Sequence, residues 1–186
     1  MIFATPINDP ALVADKFTKS LSNRRTEDAG IALLLADARF QAPDLALRKH
    51  IVADLEISEA ASPRSFDCVM TPIPMLPLTP EAFSASRNAI RIVEMKTTKK
   101  PIKDASLNGF FFGATEREYQ LAELLGDQFM FAFVVLNSEN VYGRPFAVLL
   151  TLAQVTERTK TMRMQYQVNF RSDMDAEATR RELLLL

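Results

Sequence analysis

The stretch "IRIVEMKTTKKP", Ile90 to Pro101, places a carboxylate and an ammonium two positions apart at the end of an apolar run and follows them with two more lysines. In a β-strand, side chains at i and i+2 share a face, so Glu94 and Lys96 emerge together while Val93 and Met95 point the other way. An unpaired charge on an apolar strand is expensive to bury. Something must satisfy both groups.

The flanking sequence shows what such a strand could meet. Upstream, "SFDCVM", residues 65–70, reads as a short strand carrying Asp67. Between the two strands, "TPIPMLPLTP" has four prolines in ten residues, which forbids a regular ladder and predicts an extended, polyproline-like loop. Downstream, "FFFGATEREYQLAELLGD" reads as an aromatic edge followed by a helix from about Thr115 to Leu125 with Gly126 as its stop. "QFMFAFVVLN" is a continuous apolar run, the pattern of a strand covered on both faces, and "FAVLLTLAQV" suggests another.

The remaining elements are read in the same way. Asp9 and Pro10 form a cap and first-turn pair for a helix running to about Ser22. In "TEDAGIALLLADARF", Ile31, Leu34, Leu35 and Ala38 make a stripe at helical period, and Glu27 extends it. A carboxylate on a core-facing line is either a helix-start residue favoured by the dipole or a site residue, and both readings stand. "LRKHIVADLEISEA" fits a strand or a short helix. "TMRMQYQVNFR" alternates strictly and predicts a half-exposed strand, and "DAEATRRELLLL" predicts a closing helix.

Composition excludes several functions. At 186 residues, with 48% apolar and 24% charged residues, the chain suits one globular domain. A net charge of -1 excludes a uniformly basic nucleic-acid coat, so contact with a polyanion must come from a local patch. The single cysteine, Cys68, cannot close an internal disulfide and suits a reducing compartment, and no signal pattern or membrane-length apolar run is present, so a cytoplasmic protein is expected. With one histidine and one cysteine, zinc clusters and Cys/His nucleophilic sites lack partners, and none of the five glycines builds a phosphate-binding fingerprint.

Carboxylate chemistry remains. Asp67 and Glu94, brought together from adjacent strands, would offer the hard oxygen ligands that Mg2+ prefers, with Mn2+ as a substitute, water and substrate phosphate completing the shell. Lys96 would orient or help deprotonate the attacking water and offset charge on the phosphate. Arg91, Lys96, Lys99, Lys100 and Lys103 set five basic residues against one acidic residue in thirteen positions. Such a run is either a solvated loop or a contact for backbone phosphates, here carried by Lys99, Lys100 and Lys103. Phe110, Phe111 and Phe112 would either stack on bases or pack in the core.

Asp67 followed by Glu94-Met95-Lys96 at the end of an apolar strand resembles the PD-(D/E)xK, or restriction-endonuclease-like, nuclease superfamily. The resemblance covers about residues 24–137 and rests on order: acidic helix, Asp strand, Glu-x-Lys strand, helix, apolar strand. It implies an α/β fold, a restriction-endonuclease-like mixed central sheet flanked by helices, in a single domain over 1–186, with a proline-rich insertion at 71–88 and further strands and a helix at 145–186. It also implies a metal-dependent endodeoxyribonuclease with Asp67, Glu94, Lys96 and Glu27 as catalytic residues, Asp67 and Glu94 as metal ligands and Gln120 as a supporting polar residue on the helix after the lysines. Phe66 replaces the motif's proline before Asp67.

Three alternatives stand beside this reading. Glu94 and Lys96 could be a surface cross-strand pair worth about 0.2–1 kcal/mol. Glu118 and Gln120 could belong to an ordinary solvated helix face. The whole chain could be a non-catalytic nucleic-acid-binding or assembly module on the same fold. DNA is the expected partner, and four leucines at the end of "RRELLLL" suggest a homodimer, with docking inside the monomer as the alternative.

Overall fold

The computed structural model describes residues 24–57, 62–74 and 77–161. The helix expected from Asp9 to Ser22, the alternating strand at 161–171 and the closing helix lie outside the described residues or almost wholly so. Within them the chain is α/β, a five-stranded mixed sheet with helices on both faces. Strands β1 (Phe40–Gln41), β2 (Cys68–Met70), β3 (Arg91–Thr98), β4 (Phe129–Val135) and β5 (Phe146–Leu150) lie in the order β1-β2-β3-β4-β5. All neighbours are antiparallel except β3 and β4, which run parallel from Ile92↔Phe129 to Thr98↔Val135. A parallel pair requires a crossover connection, and residues 99–128 supply it.

Alternation along β3 and β4 divides the interior in two. Ile92, Phe129, Phe131 and Phe133 join the larger core with Ile51, Phe83, Leu121 and Val155. Val93, Met95, Ala132 and Val134 join the smaller one with Leu34 and Phe40. The sheet is therefore buried on both sides, as the uninterrupted apolar run of β4 predicts.

The helices from Leu45 onward start where their cap chemistry dictates. The first described helix, α1, spans residues 24–35 and covers the smaller core through Ile31 and Leu34. It crosses β3 at Gly30, where a Cβ would overlap Thr97 Cγ2 and come within 2.9 Å of Met95 Sδ. Leu35 and Ala38 of the expected stripe are exposed, because the helix ends at 35 and the chain turns into β1. Helix α2 (Leu45–Asp54) resolves the ambiguous segment. Asp44 caps it by accepting from Leu47 N–H at 2.8 Å, and Leu47, Ile51 and Val52 are buried.

The proline-rich segment has no strand among its described residues, and it ends in α3 (Pro80–Ser86), capped by Thr79 with Pro80 in the first turn. Helix α4 (Glu116–Leu125) opens on a capping box between Thr115 and Glu118, and Gly126 at φ 54° ends it. Only the first half of "FAVLLTLAQV" is strand. Thr151 and Gln154 form a second capping box there and start α5 (Leu152–Arg158). Among the described residues no helix is long and apolar enough to cross a membrane.

Candidate active site

Glu94 and Lys96 follow Ile92 on the face of β3 that carries the larger core, so the aliphatic interior runs straight into a pair of charges. Glu94 is 9% exposed. Lys96 Nζ donates to Glu94 Oε1 at 2.9 Å and to Glu118 Oε2 at 2.6 Å. All three side chains are largely buried, so this is no surface pair.

Glu118 comes from the first turn of α4, where the same Oε2 accepts from Thr115 N–H at 3.1 Å. One carboxylate thus caps the helix and holds the lysine. This corrects the solvated helix face expected for Glu118. A local signal does point to it: the capping box of "TERE" fixes the rotamer of Glu118, and the crossover from β3 returns its helix to the same sheet face. Gln120 lies on the exposed face of α4 and donates to Glu116 Oε1 at 3.2 Å, so the supporting partner of Lys96 is Glu118.

Asp67 sits just ahead of β2. Its N–H donates to Val93 O at 3.0 Å and its Oδ2 accepts from Met95 N–H at 2.8 Å, so backbone and side chain of Asp67 bracket residue 94. Asp67 in turn is held by Arg48 of α2. The guanidinium donates to Pro43 O at 2.8 Å, to Phe66 O and to Asp67 O at 2.6 Å, and lies 5.1 Å from the Phe66 ring centroid. Nothing in "LRKH" marks Arg48 before the fold brings α2 beside the Asp67 loop. It also accounts for Phe66 in place of proline: the buried ring packs beneath the cation.

Arg48→Met should lower stability by about 2–4 kcal/mol in urea denaturation, since three partly buried acceptors lose a charged donor. Arg48→Lys should recover less than half of that, because an ammonium cannot serve three carbonyls as a planar fork does. Full recovery by lysine would show that charge alone suffices.

Electrostatics single out Glu94. Burial pushes its carboxyl up to about 8, the charges of Asp67 and Glu118 push the same way, and Lys96 opposes them. Burial disfavours the Lys96 ammonium, but Glu94 and Glu118 together outweigh it and raise the pKa. Lys96 is therefore a resting-state cation and a donor, which removes it as a general base in this arrangement. Cys68, beside Asp67, is buried and pushed up to about 12, chiefly by burial, so it is no thiolate nucleophile.

The other expected site residues do not converge here. Glu27 is exposed on α1, which covers the opposite sheet face. Lys99, Lys100 and Lys103 are exposed on the connection leaving β3. Elsewhere, Ser84 Oγ donates to Asp54 Oδ1 at 2.7 Å and meets His50 Nε2 at 3.0 Å. The serine proton goes to the aspartate and the histidine does not face it as a base, so this trio pins α3 to α2 and is not a hydrolytic triad.

No group of three or more His, Cys, Asp or Glu with metal-binding geometry occurs among the described residues. Two carboxylates are nonetheless the usual protein share of a magnesium site, the rest being water and phosphate. The donor set fits as well: Glu94 and Glu118, with Asp67 beside them, gather three carboxyl groups around the single Lys96 ammonium. No family model, curated protein or solved structure matches the chain.

Proposed function

We propose that the chain is a divalent-cation-dependent endodeoxyribonuclease with a restriction-endonuclease-like fold. The observation that carries this reading is the buried Glu94–Lys96–Glu118 cluster with Asp67 fixed beside it, at the junction of an antiparallel and a parallel strand pair. A purely structural ion pair would not need a third and a fourth charged group. A carboxyl that burial and a neighbouring carboxylate keep from ionising gives up its proton readily to a cation that takes its place.

Asp67 and Glu94 would hold Mg2+ or Mn2+, which when bound supplies Lewis acidity toward a phosphodiester and acidifies a water. Asp67 is pre-positioned, because one oxygen is anchored on Met95 N–H. Lys96, held protonated by Glu118, donates to the attacking water or to a phosphate oxygen and stabilises charge that develops there. Glu118 keeps the ammonium aimed when Glu94 is engaged elsewhere. Exposed Lys99, Lys100 and Lys103 contact backbone phosphates and set register on DNA.

One observation favours the second reading, a non-catalytic nucleic-acid-binding or assembly module: Lys96 already satisfies both carboxylates, so the cluster is closed without a cation. Supercoiled plasmid incubated with Mg2+, Mn2+ or a chelator separates the two. Cation-dependent nicking that Glu94→Gln abolishes is expected. Gel retardation of DNA with no cleavage in either cation would leave the binding module, and neither retardation nor cleavage would leave an assembly role.

A further inference from the structure

Residues 110–112 are three consecutive phenylalanines with different fates. Phe110 packs edge-on against Phe133, ring centroids 5.2 Å apart, and Phe112 packs against Phe133 at 4.9 Å and Phe131 at 6.3 Å. Phe111 between them is 81% exposed. A solitary exposed apolar residue is ordinary. This one is not solitary in its mounting, because both neighbours are partly buried and pack its backbone against the core, and a ring held that way loses little further entropy on binding.

Its place on the fold is as telling. Phe133, on which both anchors rest, is the β4 partner of Lys96 in the parallel register. Four residues after Phe111 comes Thr115, the cap that Glu118 shares with Lys96. The connection that carries Phe111 also carries exposed Lys99, Lys100 and Lys103. Cations that follow a phosphate backbone, combined with an aromatic face offered to a base, are the means by which proteins hold single strands. A symmetric contact with a second copy fits less well, since it would bring two copies of the lysine run together.

We propose that Phe111 is a base-stacking platform on the rim of the Glu94–Lys96 cluster, receiving a nucleobase that is not stacked in a duplex and directing the site toward single-stranded or locally unpaired DNA. The inference rests on the nuclease reading and names its substrate class. The order of the parts gives it physical content: lysines hold the backbone, Phe111 holds one base, and the adjacent phosphodiester is presented to the buried carboxylates.

The test is fluorescence anisotropy with a labelled single-stranded oligonucleotide and a duplex of the same sequence, in EDTA so that binding is read without cleavage. Phe111→Ala and Phe111→Leu should both weaken single-strand binding by about 5- to 100-fold while leaving duplex binding within about twofold. Phe111→Trp should restore it, with its indole fluorescence quenched by the oligonucleotide. Phe111→Leu binding as tightly as wild type, equal losses on both DNAs, or no single-strand binding by the wild type would overturn the platform. So would a dimer in light scattering that Phe111→Ala dissolves, which would assign the ring to self-association. If the platform variants behave as expected while wild-type protein never cleaves in Mg2+ or Mn2+, the nuclease reading fails and the platform stands.

Discussion

Glu94→Gln is expected to lose cleavage and gain stability at alkaline pH. The carboxyl of Glu94 is pushed from its ordinary 4.5 up to about 8, first by burial, then by the charge of Asp67, against the opposing pull of Lys96. Between those two values the native state holds a proton that the unfolded chain has released. Its contribution to stability is therefore full below about pH 4.5 and is lost as the pH rises through about 8. Glutamine has the shape of the protonated acid and cannot ionise, so the variant escapes that loss. Urea denaturation should show the two proteins converging near pH 4–5 and the variant ahead by about 1–3 kcal/mol at pH 9.

Cleavage should meanwhile fall by roughly 10²–10³-fold or more, since a neutral amide neither balances a cation nor shapes the developing charge. The same group predicts the wild-type profile: activity at low Mg2+ should rise toward pH 8, and its midpoint should move to lower pH as Mg2+ is increased, because cation and proton compete for one carboxylate. A variant less stable than wild type at pH 9, or one that cleaves normally, would contradict this account of Glu94. A stabilising change that removes activity is what a strained functional site produces.

The sequence carried the strand pair and the helix between β3 and β4 because their signals are local. Period-two alternation placed Glu94 and Lys96 on one face, and Thr115 and Gly126 bounded α4 to within a residue. Asp67 was legible for the same reason, one residue before its strand. Arg48 was not, because its role depends on a contact across 18 positions of sequence that only the fold closes, and the capping box that sets the rotamer of Glu118 does not by itself show Lys96, 22 positions away, as its partner. Glu27 shows how an apolar stripe leaves two readings open, a helix-start residue or a site residue: the stripe of α1 faces the smaller core, and residue 27 stands in solvent. The "LRKH" segment was ambiguous because α2 buries few residues, and its type is decided by the Asp44 cap and the packing of Ile51 and Val52.

Lys96→Ala and the combined Lys99→Ala, Lys100→Ala, Lys103→Ala variant should fail in different ways, although all four lysines belong to one basic run. Lys96 is 12% exposed between two carboxylates, whereas the other three stand in solvent. Removing the Lys96 ammonium takes away a donor that acts on the transition state, so turnover should fall by about 10²–10³-fold with DNA affinity nearly unchanged. It also leaves Glu94, Glu118 and Asp67 facing one another, so the variant should be less stable than wild type at pH 8 and should regain stability when Mg2+ or Mn2+ is added, a response that thermal unfolding with and without cation would measure. The triple variant should turn over normally at saturating DNA but bind more weakly, its salt dependence shallower by roughly one unit for each backbone phosphate that a lysine no longer neutralises. Salt titration of binding and single-turnover kinetics separate these outcomes. Equal, graded losses from all four lysines, with no cation-dependent recovery for Lys96→Ala, would reduce Lys96 to one more surface charge, and that outcome conflicts with an ammonium held at 2.9 Å and 2.6 Å by two buried carboxylates.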